Sequence, residues 1–274
     1  MSYGENFVLT LFTNDVELAK RADAAGINRI GLDLEIIDKA ARQQHLNTWI
    51  SDHKENQLSA LRQSLKKSKL FVRTNPPHTR LAEEIDRFIE AGVEVLMLPM
   101  FKTTEDAANF IEYIDGRAEV SLLVETAAAA VRIDEIVQLK GIDEIHIGLN
   151  DLHLDIGLKS HFELLRYQFI DTLSDIVRNA GIPFGFGGIG RVKDDRLPIS
   201  SDLIYAQYLR LGADRALVSR VFTSPDYTQL DLTREVAIFR DRMNQWHTRP
   251  KQDLVEARDM LWMAAETLKQ KKDS

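Results

Sequence analysis

The chain has 274 residues, 44% of them hydrophobic and 28% charged, enough to bury the core of one large domain. Its net charge of −7 argues against bulk attraction to nucleic acid or to an anionic membrane, and its lack of cysteine excludes disulfides, thiolate metal sites and cysteine nucleophiles. No apolar run approaches the roughly 20 residues of a membrane span, and the start, Met1 to Asn6, lacks a signal-peptide pattern, so a soluble cytoplasmic protein is expected.

In chain order, Phe7 to Phe12 is a short β-branched and aromatic run that predicts a strand. Asn14 or Asp15 can cap a helix from Val16 to Ala25 that stops at Gly26. Arg29 to Glu35 reads as a second strand, and the polar stretch Asp38 to Asp52 is long for a loop between strand and helix. A basic amphipathic helix is expected from about Glu55 to Lys67. Leu70 to Arg73 is a third strand, closed by Pro76 and Pro77. Helix Arg80 to Glu90, strand Val93 to Pro99 and a helix capped at Thr103 or Thr104 follow. Strand Val120 to Val124 leads through the cap Thr126 into a helix to Leu139, then strand Glu144 to Leu149 and a helix over about Phe162 to Asn179. Strand seven is Phe184 to Gly188, helix Asp202 to Leu211 stops at Gly212, and strand eight is Ala216 to Ser219. Two helices, about Leu232 to Trp246 and Gln252 to Lys269, end the chain.

Eight βα units in one chain of this length predict an α/β fold, a (β/α)8 TIM barrel, over a doubly wound sheet, whose switch point is not found. The whole chain, 1–274, is expected to form one domain, with 230–274 a helical extension. Active sites of such barrels sit at the C-terminal strand ends. That rim carries Asn14, Asp33 with Glu35, Arg73 with Asn75, Pro99 with Lys102, Glu125, Asn150 with Asp151, Gly187 with Gly188, and Ser219 with Arg220.

Glu125 and Asp151 each close an apolar strand, one βα unit apart, and such a pair suits a divalent cation, Mg²⁺ or Mn²⁺, whose shell a 2-oxo acid or its enolate completes. Either acid could instead start a helix or pair with an arginine. Arg73 can bind a carboxylate in bidentate fashion and offset charge on an enolate oxygen, or pair with Asp33 or Glu35. Asp33 and Glu35 share a strand face, and Glu35 is a candidate acid/base. Asn150, Gly187, Gly188 and Arg191 are candidate substrate contacts; the glycine-rich end of strand seven with Arg191 and Arg220 could bind phosphate or merely allow close packing. Among the histidines, His53 and His153 are the catalytic candidates; His45 shares the loop of His53, and His146 lies inside strand six.

Together these segments resemble the HpcH/HpaI aldolase and citrate lyase β-subunit superfamily. The resemblance rests on Gly31-Leu-Asp-Leu-Glu35 with Asp38 to Arg42, Val72-Arg73-Thr-Asn75, Ala91 to Pro99, Leu123-Val-Glu125-Thr-Ala with Ile133 to Ile136, and Ile147-Gly-Leu-Asn150-Asp151-Leu with Gly157. It implies a TIM barrel, a Mg²⁺ or Mn²⁺ ion on Glu125 and Asp151, and Arg73 against a keto-acid carboxylate or enolate oxygen. It further implies a homo-oligomer, with the helices after Leu232 as candidates for exchange between subunits. The chain departs from the aldolase branch at Ile36, where that branch carries a catalytic histidine. The expected activity is that of a carbon–carbon lyase, a class II-type aldolase or citrate-lyase-like enzyme, on a small 2-oxo acid or related carboxylate. The alternatives are a phosphoenolpyruvate-using enzyme on the same barrel, or a silent ligand-binding barrel subunit of a biosynthetic complex.

Overall fold

Eight parallel strands close on themselves in sequence order, β1 Val8–Phe12, β2 Arg29–Asp33, β3 Lys69–Arg73, β4 Val95–Leu98, β5 Glu119–Val124, β6 Glu144–Ile147, β7 Phe184–Ile189 and β8 Arg215–Val218. The ring shuts where Val8 pairs with Arg215 and Leu11 with Val218. The computed structural model describes residues 2–37, 52–194, 197–223 and 226–273, without the side chains of 269–273. The stretch 38–51, with His45, most of the long polar loop and the Asp38 to Arg42 part of the resemblance, lies outside the described residues. The TIM barrel expected from eight βα units is the fold observed.

Alternation along each strand decides which residues face the helices and which face the lumen. Leu9, Leu11, Ile30, Leu32, Leu70, Val72, Leu122, Val124, Ile145 and Ile147 join the large core between strands and helices. The alternate residues Phe71, Val95, Met97 and Leu123, with Phe12 against them, form a separate apolar cluster inside the barrel. Beneath it the strand starts supply an ionic plug. Arg29 bonds Glu144 at 2.6 Å and Glu119 at 3.1 Å, Arg215 bonds the same Glu144 carboxylate at 2.5 Å, and Lys69 joins Glu119. The lumen is therefore charged below, apolar in the middle and polar again at the strand ends.

Local chemistry sets the connections. Asp15 accepts from the amides of Glu17 and Leu18 at the head of helix Val16–Ala25, and Gly26 ends that helix at φ +88°. Thr103 and Asp106 form a capping box on helix Thr104–Ile114. The single helix expected after Thr126 is two, Ala127–Val131 and Ile133–Ile136; the break at Arg132 turns Ala129, Ala130, Ile133 and Ile136 all onto the core. The expected helix from Phe162 is likewise split, into His161–Leu164, with a capping box from Ser160 and Glu163, and Gln168–Asn179. The closing helices are Leu232–His247 and Lys251–Asp273. Arg240 of the first ties the N-terminal segment down, donating to the carbonyls of Gly4, Phe7 and Gly26. No helix among the described residues is long and apolar enough to cross a membrane.

Candidate active site

At the C-terminal end of the strands a cavity of about 460 Å³ brings together Asp33, His53, Arg73, Glu125, Asn150, Asp151, Gly187, Gly188 and Arg220. Its floor is Phe12 and Leu123 from the apolar layer of the lumen, with His146 beside them. Apart from His53, which stands just ahead of the short helical turn Glu55–Gln57, these residues come from β1, β2, β3, β5, β6, β7 and β8 or the segments directly after them, far apart in sequence and brought together by barrel closure.

Glu125 follows the last residue of β5 and is 2% exposed. Its Oε1 accepts the amide of Met100 at 3.1 Å. Met100 holds φ +55°, a left-handed backbone that a non-glycine residue adopts at a cost of about 1 kcal/mol, and the turn after Pro99 is what aims that amide at the carboxylate. Gly148 stands against the other oxygen: a Cβ there would lie 2.6 Å from Glu125 Cβ and 2.7 Å from Oε2. Asp151 is not at a strand end. β6 stops at Ile147, and Asp151 lies in the first turn of the short helix Leu149–Asp155, a favourable place for an acid as well as a wall of the cavity.

Burial drives the pKa of Glu125 well above the carboxylate range, and the Asp151 charge pushes it the same way; Arg73 opposes both. Arg73 closes on Asp33 through two parallel bonds, Nε to Oδ1 and Nη2 to Oδ2, each 2.8 Å, and reaches Glu35 at 3.4 Å. Its guanidinium lies 5.6 Å from the Phe12 ring centre. Burial lowers its pKa, but Asp33, Glu35 and Glu125 outweigh that and raise it, so it is a permanent cation. Arg73 is thus paired with Asp33 and also lines the cavity.

The other candidates divide. His53 lines the cavity, and its Nδ1 accepts the amide of Asp33 at 2.9 Å, so in the neutral ring Nε2 carries the proton and is a donor. His153 is turned back on its own helix, Nδ1 against the carbonyl of Leu149 at 3.1 Å, and its ring packs on His161. It is His161, which sequence reasoning passed over, that lines the cavity. Glu35 is buried behind Arg73 rather than on the cavity wall. Gly187 and Gly188 line the cavity, whereas Arg191 is bonded to Asp194 at 3.1 Å. His146 is buried in the lumen, 3.3 Å from the carbonyl of Gly187, and burial pushes its pKa down to about 4, so it is neutral. Met100 and Gly148 were also missed: the service of one is a backbone amide and of the other the absence of a side chain.

Among the described residues no group of three or more His, Asp and Glu side chains is placed to hold a metal ion; Glu125 and Asp151 are a pair of carboxylates on the cavity wall. Such a pair fits Mg²⁺, which takes one or two carboxylates and fills its octahedron with water and substrate oxygens. The mutual repulsion that helps keep a proton on Glu125 is what a cation between the two would relieve.

The class this defines is a closed (β/α)8 barrel with two acids and an arginine lining the cavity at its C-terminal rim. The chain belongs to the HpcH/HpaI aldolase/citrate lyase family, whose model matches residues 15–186. It is 27% identical over 162 residues to a hydroxypyruvate/pyruvate aldolase of Rhizorhabdus wittichii, a match covering 45% of this chain and 61% of that protein. A second hydroxypyruvate/pyruvate aldolase, of Sagittula stellata, is 25% identical over 169 residues, covering 50% of this chain and 64% of that one. The match thus spans a little under two thirds of these relatives' length. Among solved structures, an HpcH/HpaI aldolase/citrate lyase family protein of Burkholderia cenocepacia superposes with a TM-score of 0.62 at 16% identity, over 88% of this chain and 95% of that one, which speaks to fold.

Proposed function

We propose that this protein is a divalent-cation-dependent carbon–carbon lyase or aldolase acting on a small 2-oxo acid through its enolate. The observation that carries the reading is the buried Glu125, set beside Asp151 and Arg73 in one cavity at the catalytic end of the barrel. The family and the aldolase names of its relatives support the reaction class. When bound on Glu125 and Asp151, Mg²⁺ or Mn²⁺ would supply Lewis acidity to the keto oxygen.

The chain's own groups account for the rest. Arg73, locked by Asp33, presents a fixed positive charge to the substrate carboxylate or to negative charge growing on the enolate oxygen, and its rigidity means no reorganisation as that charge appears. Glu125 and Asp151 would hold the cation, and a carboxyl whose pKa burial raises would give up its proton on binding it. His53, which lines the cavity and accepts the Asp33 amide through Nδ1, is the group we assign to proton transfer at the aldehyde oxygen. Phe12 and Leu123 keep the floor apolar and strengthen these interactions by excluding water.

The test is proton exchange. In D₂O with Mg²⁺, the methyl protons of pyruvate should exchange in the presence of the protein, as read by ¹H NMR, and should stop exchanging when EDTA is added. Pyruvate left unexchanged with either Mg²⁺ or Mn²⁺ would sink the enolate reading.

A further inference from the structure

Beside the acidic cavity lies a second, apolar one of about 190 Å³, between the ends of β7 and β8 and the helices His161–Leu164 and Ser201–Leu211. Its walls are Leu149, Phe162, Leu165, Phe186, Ile199 and Ile204. Leu149, Leu165, Phe186 and Ile199 are buried core residues, so packing fixes its shape. The two cavities share Leu149, His161, Gly187, Gly188 and Ser219. The end of β7 therefore sends no side chain into the seam at Gly187 or Gly188. Gly187 is held at φ +50°, a conformation that disfavours any other residue, and a Cβ on it would press Leu149 Cδ1 at 3.3 Å. His161 stands at the seam, and burial, with the neighbouring His153, pushes its pKa down to about 4, so the ring adds no charge there.

Apart from His161, Ser201 and Ser219, the side chains lining this pocket are apolar, so it favours an apolar occupant, since a buried polar atom without a partner is costly. A cavity of about 150 Å³ lined by Leu, Ile and Phe holds benzene, and this one is slightly larger. We propose that this annex receives the apolar body of the aldehyde half of the substrate, an aryl group or an alkyl chain of roughly four to six carbons, while the 2-oxo acid half occupies the acidic cavity. The assignment rests on the aldolase reading above. In cleavage, the 4-hydroxyl gives up its proton as the C3–C4 bond breaks and the carbonyl of the aldehyde forms. The bonding pair passes into the 2-oxo acid enolate, which takes up one proton, so no oxidant or co-reactant is consumed. The seam between the cavities is where the breaking bond falls.

The experiment has a turnover arm and a binding arm. The protein with Mg²⁺ and pyruvate is offered acetaldehyde, butanal, hexanal, decanal, benzaldehyde and glycolaldehyde, and aldol formation is measured. The expected kcat/KM rises about fourfold per methylene to a maximum near hexanal or benzaldehyde, then falls for decanal. Ile204→Phe should flatten the hexanal-to-acetaldehyde ratio, and Ile204→Ala should move the maximum to longer chains; if the first fails to fold, the second decides. Without cation or pyruvate, benzene should raise the melting temperature of the wild-type protein. A flat profile, a preference for glycolaldehyde, or no response to benzene overturns the annex assignment while pyruvate proton exchange persists. Loss of that exchange together with all aldol formation overturns both readings.

Discussion

At the residue scale the account turns on Arg73 and Gly148. Arg73→Lys keeps the charge but loses the two parallel bonds to Asp33, so its position is no longer fixed. Removing one preorganised charge partner of a developing oxyanion costs about 2.7–4 kcal/mol, and kcat for aldol cleavage should fall by about 10²- to 10³-fold, with far less change in melting temperature. An unchanged kcat would assign Arg73 to structure alone. Gly148→Ala adds a methyl where Glu125 already sits. We expect that variant to fold, to lose cation binding in calorimetric titration, and to lose activity with it. Arg73 and Glu125 stand out in the sequence as charged residues at the ends of apolar strands, and Asp151 as an acid shortly after one, although it begins a helix. His161, Met100 and Gly148 were not. A histidine after a loop has no signature of its own, and a backbone amide aimed by a positive φ is invisible until the turn is built. His153 shows the converse: two residues beyond Asp151 in sequence, it is turned away by helical geometry.

At the scale of elements, the strands were read well because each is a run of Val, Leu, Ile and Phe with a turn on either side. The helices were read less well. Those after Thr126 and Ser160 break where the core, not local propensity, dictates direction. The change from β6 into a helix at Leu149 moves Asp151 from a strand end to a helix start, yet leaves it beside Glu125, since both elements are anchored to the same rim. That pairing sets a pH dependence. Burial and Asp151 raise the pKa of Glu125 in the folded protein above the unfolded value near 4.5. The folded state then binds more protons than the unfolded state once pH exceeds that value, so stability of the cation-free protein should fall as pH rises above it until Glu125 itself ionises. Mg²⁺ affinity should rise over the same interval. Melting curves with EDTA and with Mg²⁺ between pH 5 and pH 9 check both signs; parallel curves would contradict the pairing.

At the scale of the whole molecule, the barrel separates stability from chemistry. The plug at the strand starts holds Glu144, 2% exposed, between Arg29 and Arg215. Burial raises its pKa, but the two guanidinium groups overcome that and bring it down to about 2 from the usual 4.5. Its contribution is therefore present above pH 4.5 and lost as pH falls toward 2. Glu144→Gln removes the carboxylate that the two arginines share, leaving Arg29 with Glu119 and Arg215 with Asp214, and should destabilise the fold by about 1–3 kcal/mol in urea unfolding at neutral pH, with pyruvate proton exchange retained below the transition. The other end has the opposite character: Asp33 and Glu35 share the one guanidinium of Arg73, and Asp151 stands close enough to raise the pKa of the buried Glu125. The central claim is that Glu125 and Asp151 hold a cation which, with Arg73, chelates a 2-oxo acid. The most direct test is the melting temperature with Mg²⁺ alone, oxalate alone and both together, in the wild-type protein and in Glu125→Gln and Asp151→Asn. The account predicts a joint rise larger than the sum of the separate ones in the wild type and its loss in both variants. Additive shifts in the wild type, or a joint rise that survives in either variant, would contradict it.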